Sequence, residues 1–205
     1  AGALDRAREA GVQRFLNIST KRAEWAQVVG TARATPDVYA SVGIHPHNAD
    51  DHVDLTREEL RAATDEPKVI GIGETGLDYY YDHSDRETQQ HLFRLHIDVA
   101  REVQLPVIIH TRDAEDDTLA ILEDEMGKGA FPALIHCFTA SADFGRAVLD
   151  LGLSVSISGI VTFKSARDLQ EFAREIPHDR LLVETDSPFL APVPHRGKPC
   201  EPGFV

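Results

Sequence analysis

Short apolar runs alternate along this chain with longer stretches in which apolar residues recur every three or four positions, the pattern of strands followed by amphipathic helices. Residues 1–10 carry helix formers with Leu4, Ala7 and Ala10 at helical spacing, and Gly11 stands where a C′ residue would end that helix. The sequence therefore reads as opening inside a helix. Residues 12–18 then read as a strand and 21–34 as a helix stopped by Pro36. The same beat predicts strand 38–44 and helix 55–63, strand 69–74 and helix 86–103, and strand 107–110 and helix 115–125. It continues with strand 134–137 and helix 142–149, strand 154–158 and helix 166–174, and a last strand 181–186 leading into the Pro- and Gly-rich run 191–205. Seven strands are predicted.

Strands such as Val107-Ile108-Ile109 are apolar on both faces, as in a parallel sheet covered by helices. Alternating strands and helices indicate an α/β fold. An open doubly wound sheet and a (β/α)8 TIM barrel share this alternation, and the periodicity leaves both open. The length of 205 residues fits one domain over 1–205, and the reading at either end is of a chain cut short. No apolar run approaches the length needed to span a bilayer.

The charge balance changes the picture of partners. Lys and Arg number 21 against 34 Asp and Glu, a net charge of −13, which opposes a broad basic surface gripping nucleic acid. The two cysteines, Cys137 and Cys200, have no metal-knuckle spacing and point to a reducing compartment, so a cytoplasmic location is expected. A monomer is the default expectation for assembly.

Candidate chemistry sits at strand ends. The runs Val69 to Glu74, Val107 to His110, Leu134 to His136 and Leu181 to Asp186 are apolar and then end in metal-ligand-type side chains, and the strand ending at His45 does the same. In parallel α/β folds the C-terminal strand ends build the active-site face. Strand alternation puts Ile72 on one face with Glu74, Ile108 with His110, Leu134 with His136 and Gly43 with His45. If those faces point into a barrel, two imidazoles and the carboxylates of Glu74 and Asp186 cluster at its mouth. Such donors suit one or two divalent ions (Mg, Mn or Zn), and paired ions about 3.5–4 Å apart suit hydrolysis of phosphodiesters or amides. Glu184 shares parity with Asp186 one layer lower, where a buried carboxylate needs a partner.

Each residue also has a plain structural alternative. A strand-end histidine is often a capping or core residue, and Glu74 or Asp186 alone could cap the next helix. Arg112 is placed for a phosphate oxygen, although pairing with Asp113 is the commoner fate of a loop arginine. Ser154, Ser156 and Ser158 read as barrel interior. No nucleophile elbow or Walker A loop occurs.

Five segments carry a resemblance: Gly43-Ile44-His45-Pro46-His47, Ile72-Gly73-Glu74-Thr75-Gly76-Leu77-Asp78-Tyr79, the run from Pro106 through His110-Thr111-Arg112-Asp113 to Ala114, Leu134-Ile135-His136-Cys137-Phe138-Thr139, and Leu182-Val183-Glu184-Thr185-Asp186-Ser187-Pro188. Together they resemble the TatD family of metal-dependent deoxyribonucleases, a branch of the amidohydrolase-like TIM barrels. The resemblance implies a (β/α)8 barrel of which seven strands are present. It implies that Glu74, His110, His136 and Asp186 bind metal, with Glu74 shared between two ions, Glu74 and Asp186 catalytic, and Asp186 handling the proton of water. His45 would then lie near the substrate, while the residues themselves suggest Arg112 for binding a substrate phosphate and Glu184 for supporting the ligands from behind. The implied reaction is exonucleolytic hydrolysis of DNA, single-stranded or at 3′ ends. Many members open with Asp-x-His-x-His, which residues 1–20 lack, and the resemblance also implies a further helix after Val205. The residues alone leave open a hydrolase of a small ester, amide or lactone, or a chain that binds metal without turnover.

Overall fold

The computed structural model describes residues 2–205. Strands and helices alternate in the order α1 (Ala3–Glu9), β1 (Phe15–Asn17), α2 (Trp25–Ala34), β2 (Val38–Val42), α3 (Arg57–Ala63), β3 (Val69–Asp78), α4 (Arg86–Val103), β4 (Val107–Arg112), α5 (Glu115–Lys128), β5 (Ala133–Ile135), α6 (Ala142–Asp150), β6 (Ser154–Ile157), α7 (Arg167–Glu175) and β7 (Leu181–Val183). This is the alternation of the TIM-barrel class with seven parallel strands. Two compact units make up the chain, Leu16–Leu134 and Ala1–Phe15 with Ile135–Val205.

In the larger unit β2, β3 and β4 pair in parallel, with Val42 opposite Ile72 and Ile72 opposite Val107. Their side chains are apolar where they are covered: Val38, Ala40, Val42, Ile72, Leu77, Val107 and Ile109 are all buried. Helix α4 supplies much of the cover through Leu92, Phe93, Ile97 and Ala100. Its ends match the expected 86–103 because both signals are local. Asp85 accepts hydrogen bonds from the Glu87 and Thr88 N–H groups at 2.9 and 3.1 Å, and Gln104 closes the helix in the left-handed region at φ 55°. Helix α3 starts at Arg57 rather than at Leu55 because the Thr56 hydroxyl accepts from the Glu59 N–H and so stands outside the helix as its cap.

Two strand boundaries differ in ways that bear on function. Strand β3 runs to Asp78, four residues beyond the expected end, since Thr75 to Asp78 pair with Ile109 to Arg112 of β4. The register shifts between Gly73 and Thr75, so Glu74 leaves the ladder and strict alternation from Ile72 does not fix its direction. Strand β1 is shorter than the apolar run 12–18, and β5 and β7 end before the polar residues that follow them.

In the smaller unit β6 and β7 pair in parallel, Val155 opposite Leu181 and Ile157 opposite Val183. The Ser141 hydroxyl caps α6 by accepting from the Phe144 N–H. Phe138 and Phe172 pack with ring centroids 4.8 Å apart, against Gly145, where an added Cβ would lie 2.2 Å from the Phe172 ring. Arg6 of α1 pairs with Glu201 at 2.7 Å.

His96 of α4 is fully buried and uses both ring nitrogens: Nε2 accepts from the Ile44 N–H at 3.0 Å and Nδ1 contacts the Leu92 carbonyl at 2.7 Å. The bond from Ile44 needs the neutral ring, because Nε2 must keep its lone pair to accept it, and burial pushes the pKa down from 6.5 to about 4. The unfolded chain takes up the proton first, so this contribution is whole above pH 6.5 and is lost as pH falls toward 4. Between pH 7 and pH 5 the wild-type chain should lose about 2 kcal/mol more stability than a His96→Gln variant, whose amide oxygen can still accept from Ile44. Urea unfolding midpoints at the two pH values check this; equal losses would remove His96 as the cause.

Candidate metal centre

The larger unit gathers side chains from three neighbouring pieces of chain. Beyond β2, Pro46 opens a single 3-10 turn (Pro46–Asn48), and His45 caps it, its Nδ1 accepting from the His47 N–H at 3.1 Å. Strand β3 supplies Glu74 and Asp78, and β4 supplies His110 and Arg112. The cap on β2 places His45 Nε2 at 3.6 Å from Glu74 Oε1, and His110 Nδ1 lies 3.2 Å from the same oxygen. Ligand atoms of His45, Glu74 and His110 all fall within 4.8 Å of one another, a possible metal-binding triad.

Asp78 closes the group from behind. Its carboxylate is fully buried, and Oδ2 meets His110 Nε2 at 2.9 Å and His47 Nε2 at 2.8 Å. Its Oδ1 accepts from the backbone N–H groups of Tyr80 and Tyr81 at 3.1 and 2.9 Å. Burial works against the charge of Asp78, but the bonds from His110, the Tyr81 N–H and His47 outweigh it and hold the carboxyl well below the usual range. For His110 burial again opposes charge, and the flanking Asp78 and Glu74 carboxylates win, raising its pKa. An imidazole held at Nε2 by a carboxylate presents Nδ1 forward as a metal donor, the arrangement that fixes tautomer and orientation in metal sites.

His45 is different. Its Nδ1 accepts a backbone N–H, so in the neutral ring the proton sits on Nε2, the atom that faces Glu74. Burial pushes its pKa down from 6.5 to about 4, which keeps the ring neutral at pH 7. His45 therefore offers a neutral N–H donor beside the carboxylate rather than a lone pair, and the donor set for an ion is Glu74 with His110.

The smaller unit repeats the order carboxylate, imidazole, carboxylate. His136, on the turn after β5, has Nδ1 2.7 Å from Glu184 Oε2, and its Nε2 lies 3.6 Å from Asp186 Oδ1. Ser156 of β6 donates to the same Glu184 oxygen at 2.8 Å and receives the Cys137 N–H. Glu184 Oε1 is buried and lacks a hydrogen-bond partner among the described residues. An uncompensated buried carboxylate oxygen of this kind is what a cation or an ordered water would satisfy. Mixed imidazole and carboxylate donors in both groups fit Mn, Zn or Fe, and the carboxylates tolerate Mg.

The residues expected to act thus come together as His45, Glu74 and His110 in one unit and His136, Glu184 and Asp186 in the other. Asp78 and His47 were given no firm role in the sequence, and the shift between Gly73 and Thr75 breaks the alternation that would have related Asp78 to Glu74. Arg112 does not pair with Asp113: among the described residues no carboxylate lies within 4.0 Å of its guanidinium, which instead covers the Tyr80 and Tyr81 rings. Ser156 and Ser158 are buried as interior residues should be, while Ser154 is half-buried. Both cysteines are free thiols.

The sequence pattern of TatD related DNases matches residues 1–205. The uncharacterized metal-dependent hydrolase YcfH of Escherichia coli strain K12 is 50% identical over 169 residues, covering 82% of this chain and 63% of that relative. The chain thus spans less than two thirds of YcfH. A 3′-5′ ssDNA/RNA exonuclease TatD of Erwinia tasmaniensis is 37% identical over 198 residues, covering 96% of this chain and 76% of its own length. The crystal structure of YjjV, a TatD homologue from Escherichia coli K12, superposes with a TM-score of 0.89 at 29% identity, over 98% of this chain and 78% of YjjV.

Replacing the buried partner of His110 tests the metal reading without touching a ligand. Asp78→Asn should keep the fold and weaken Mn binding by about 10- to 100-fold, read by calorimetric titration. Unchanged affinity would mean that Asp78 does not orient a metal ligand.

Proposed function

The chain belongs to the TatD family of metal-dependent hydrolases, and from that premise we propose that it hydrolyses phosphodiester bonds of single-stranded nucleic acid, removing nucleotides from a 3′ end. The observation that carries this reading is the repeated backing of an imidazole by one carboxylate and its facing by another: Asp78, His110 and Glu74, then Glu184, His136 and Asp186. Support for the substrate comes from the Erwinia tasmaniensis relative named as a 3′-5′ ssDNA/RNA exonuclease.

In this reading Glu74 and His110, and His136 and Asp186, hold one or two divalent ions. A bound ion polarises a phosphoryl oxygen and makes water acidic enough to attack phosphorus near neutral pH. The residues do the rest. Asp78 and Glu184 keep His110 and His136 in the tautomers that face forward. His45 donates its neutral Nε2–H to a phosphate oxygen, adding no charge that would repel the ion. Arg112, whose guanidinium has no acidic partner, takes a second phosphate oxygen. Asp186, about one third exposed, accepts the proton of the attacking water. The free thiols of Cys137 and Cys200 suit a reducing compartment, and the cytoplasm is the location we assign. Among the described residues no helix is long and apolar enough to cross a membrane.

End-labelled single-stranded DNA with Mg or Mn is the direct assay. Shortening from one end should stop with EDTA and fall by at least about 100-fold in Asp186→Ala and Glu74→Ala, while circular dichroism shows both variants folded. Turnover that survives chelation, or either variant at wild-type rate, would refute the assignment. Cleavage of a small ester or lactone with none of DNA would keep the metal and change the substrate.

A further inference from the structure

Three tyrosines in a row follow β3, and they are treated differently. Tyr79 is tied down: its hydroxyl donates to Asp117 at 2.7 Å, Gln90 donates to it at 2.8 Å, and Arg86 lies over its ring at 4.2 Å. Tyr80 and Tyr81 are 57% and 48% exposed, large values for aromatic side chains, and among the described residues neither hydroxyl has a hydrogen-bond partner. Their rings meet edge to face at 4.8 Å, and Tyr81 stacks on His83 with the planes 5° apart. The Arg112 guanidinium lies 4.1 Å from the Tyr80 centroid and 4.8 Å from that of Tyr81. Isolated exposed aromatics need no explanation; a stacked Tyr81 and His83 pair with Tyr80 edge-on beside it, and a guanidinium with no acidic partner among the described residues over both tyrosines, form a surface with both a π-face and a positive charge.

Its backbone is anchored by the same carboxylate that holds His110. Asp78 Oδ1 takes the N–H groups of Tyr80 and Tyr81, while Oδ2 takes His110 and His47, and the His47 ring touches both Tyr81 and His83 edge-on. Rings fixed in this way lose little freedom when something stacks on them. A ligand suited to the surface has a flat unsaturated face next to an anion, which describes an unpaired nucleobase and its phosphate.

Resting on the proposed hydrolysis of nucleic acid, we propose that Tyr80 and Tyr81 form a stacking platform for unpaired bases of the strand being cut, with Arg112 holding the adjoining phosphate. Duplex substrate is disfavoured there because its base faces are already stacked. The preference for single strands then arises from this platform, and base identity matters little, since every base offers a π-face.

The test measures binding, by fluorescence anisotropy of labelled 12-mers with phosphorothioate linkages and Mg present. One strand is oligothymidylate and the other is abasic with the same number of phosphates. The Tyr80→Ala, Tyr81→Ala double variant should bind the thymidylate at least about tenfold more weakly, within the 5- to 150-fold expected per stacked base, and bind the abasic strand as wild type does. The Tyr80→Phe, Tyr81→Phe variant keeps the rings and should retain full affinity, which separates stacking from misfolding. Equal affinity of wild type and the alanine variant for thymidylate, or parallel losses on both strands with the phenylalanine variant intact, would overturn the platform. If wild type favours the base-bearing strand but cleaves no phosphodiester, the hydrolytic reading fails and the platform stands; cleavage without any base preference gives the reverse.

Discussion

One buried carboxylate organises the larger unit. Asp78 lies at the far end of β3 with no access to water, a position that would cost several kcal/mol for an unpaired charge. Four donors surround it: two imidazole nitrogens and two backbone N–H groups. Satisfied in this way, the charge becomes a fixed point from which three other pieces of chain take their positions. The turn after β2 is located through His47, β4 through His110, and the tyrosine loop through its own backbone. The consequence for chemistry is directional. His110 cannot rotate to offer Nε2 elsewhere without leaving Asp78 unsatisfied, so Nδ1 stays turned toward Glu74.

The same logic explains why two histidines whose ring centroids lie 4.5 Å apart behave unlike each other. At His110 burial is outweighed by the acids on both sides and the pKa rises, whereas at His45 burial, helped by the neighbouring His110 and His47 rings, outweighs Glu74 and Asp78 and pushes the pKa down to about 4. A centre that must attract a cation gains from this division. A positive ring at His45 would compete with the ion for the Glu74 carboxylate, but a neutral N–H donor does not. The backbone bond from His47 to His45 Nδ1 settles which nitrogen carries that proton, and Pro46 between them sets the turn that makes the bond possible.

Much of this was legible in the residues, and the exceptions have physical causes. Helix α4 and the strand cores could be read because caps and hydrophobic periodicity are local: Asp85 at one end and the apolar spacing of Leu92, Phe93, Ile97 and Ala100 along the length. The candidate donors Glu74, His110, His136 and Asp186 stood out as polar residues ending apolar runs. Asp78 did not, because Thr75-Gly76-Leu77 lacks the β-branched richness of a strand and its extension depends on pairing with β4, a tertiary event. The shift at Gly73 to Thr75 is likewise invisible to alternation, which assumes an unbroken ladder. Arg112 was read as a contact for a substrate phosphate, with pairing to Asp113 as the alternative; Asp113 adopts φ 52° and the guanidinium goes to the tyrosines. Sequence neighbours do not compete well with aromatic faces that the fold brings over from another strand.

A net charge of −13 opposes the phosphate-bearing substrate of the proposed function, and the distribution of that charge resolves the conflict. Many acids of the larger unit are engaged in ion pairs: Arg57 with Asp98 and Glu102, Arg61 with Asp65 and Glu102, and Arg94 and Arg101 with Glu125. Such pairs add little stability at a surface, and their larger effect is to cancel charge locally. Beyond roughly 8 Å at physiological salt the remaining exposed acids are screened. What an approaching anion meets is the short-range field, and there the unpaired guanidinium of Arg112 and the N–H of His45 are the donors. The carboxylates among them are those that an ion would neutralise. Acidity of the chain as a whole therefore limits non-specific adhesion to nucleic acid without forbidding a strand end at this one place, and under the proposed function it would make such binding depend on the metal.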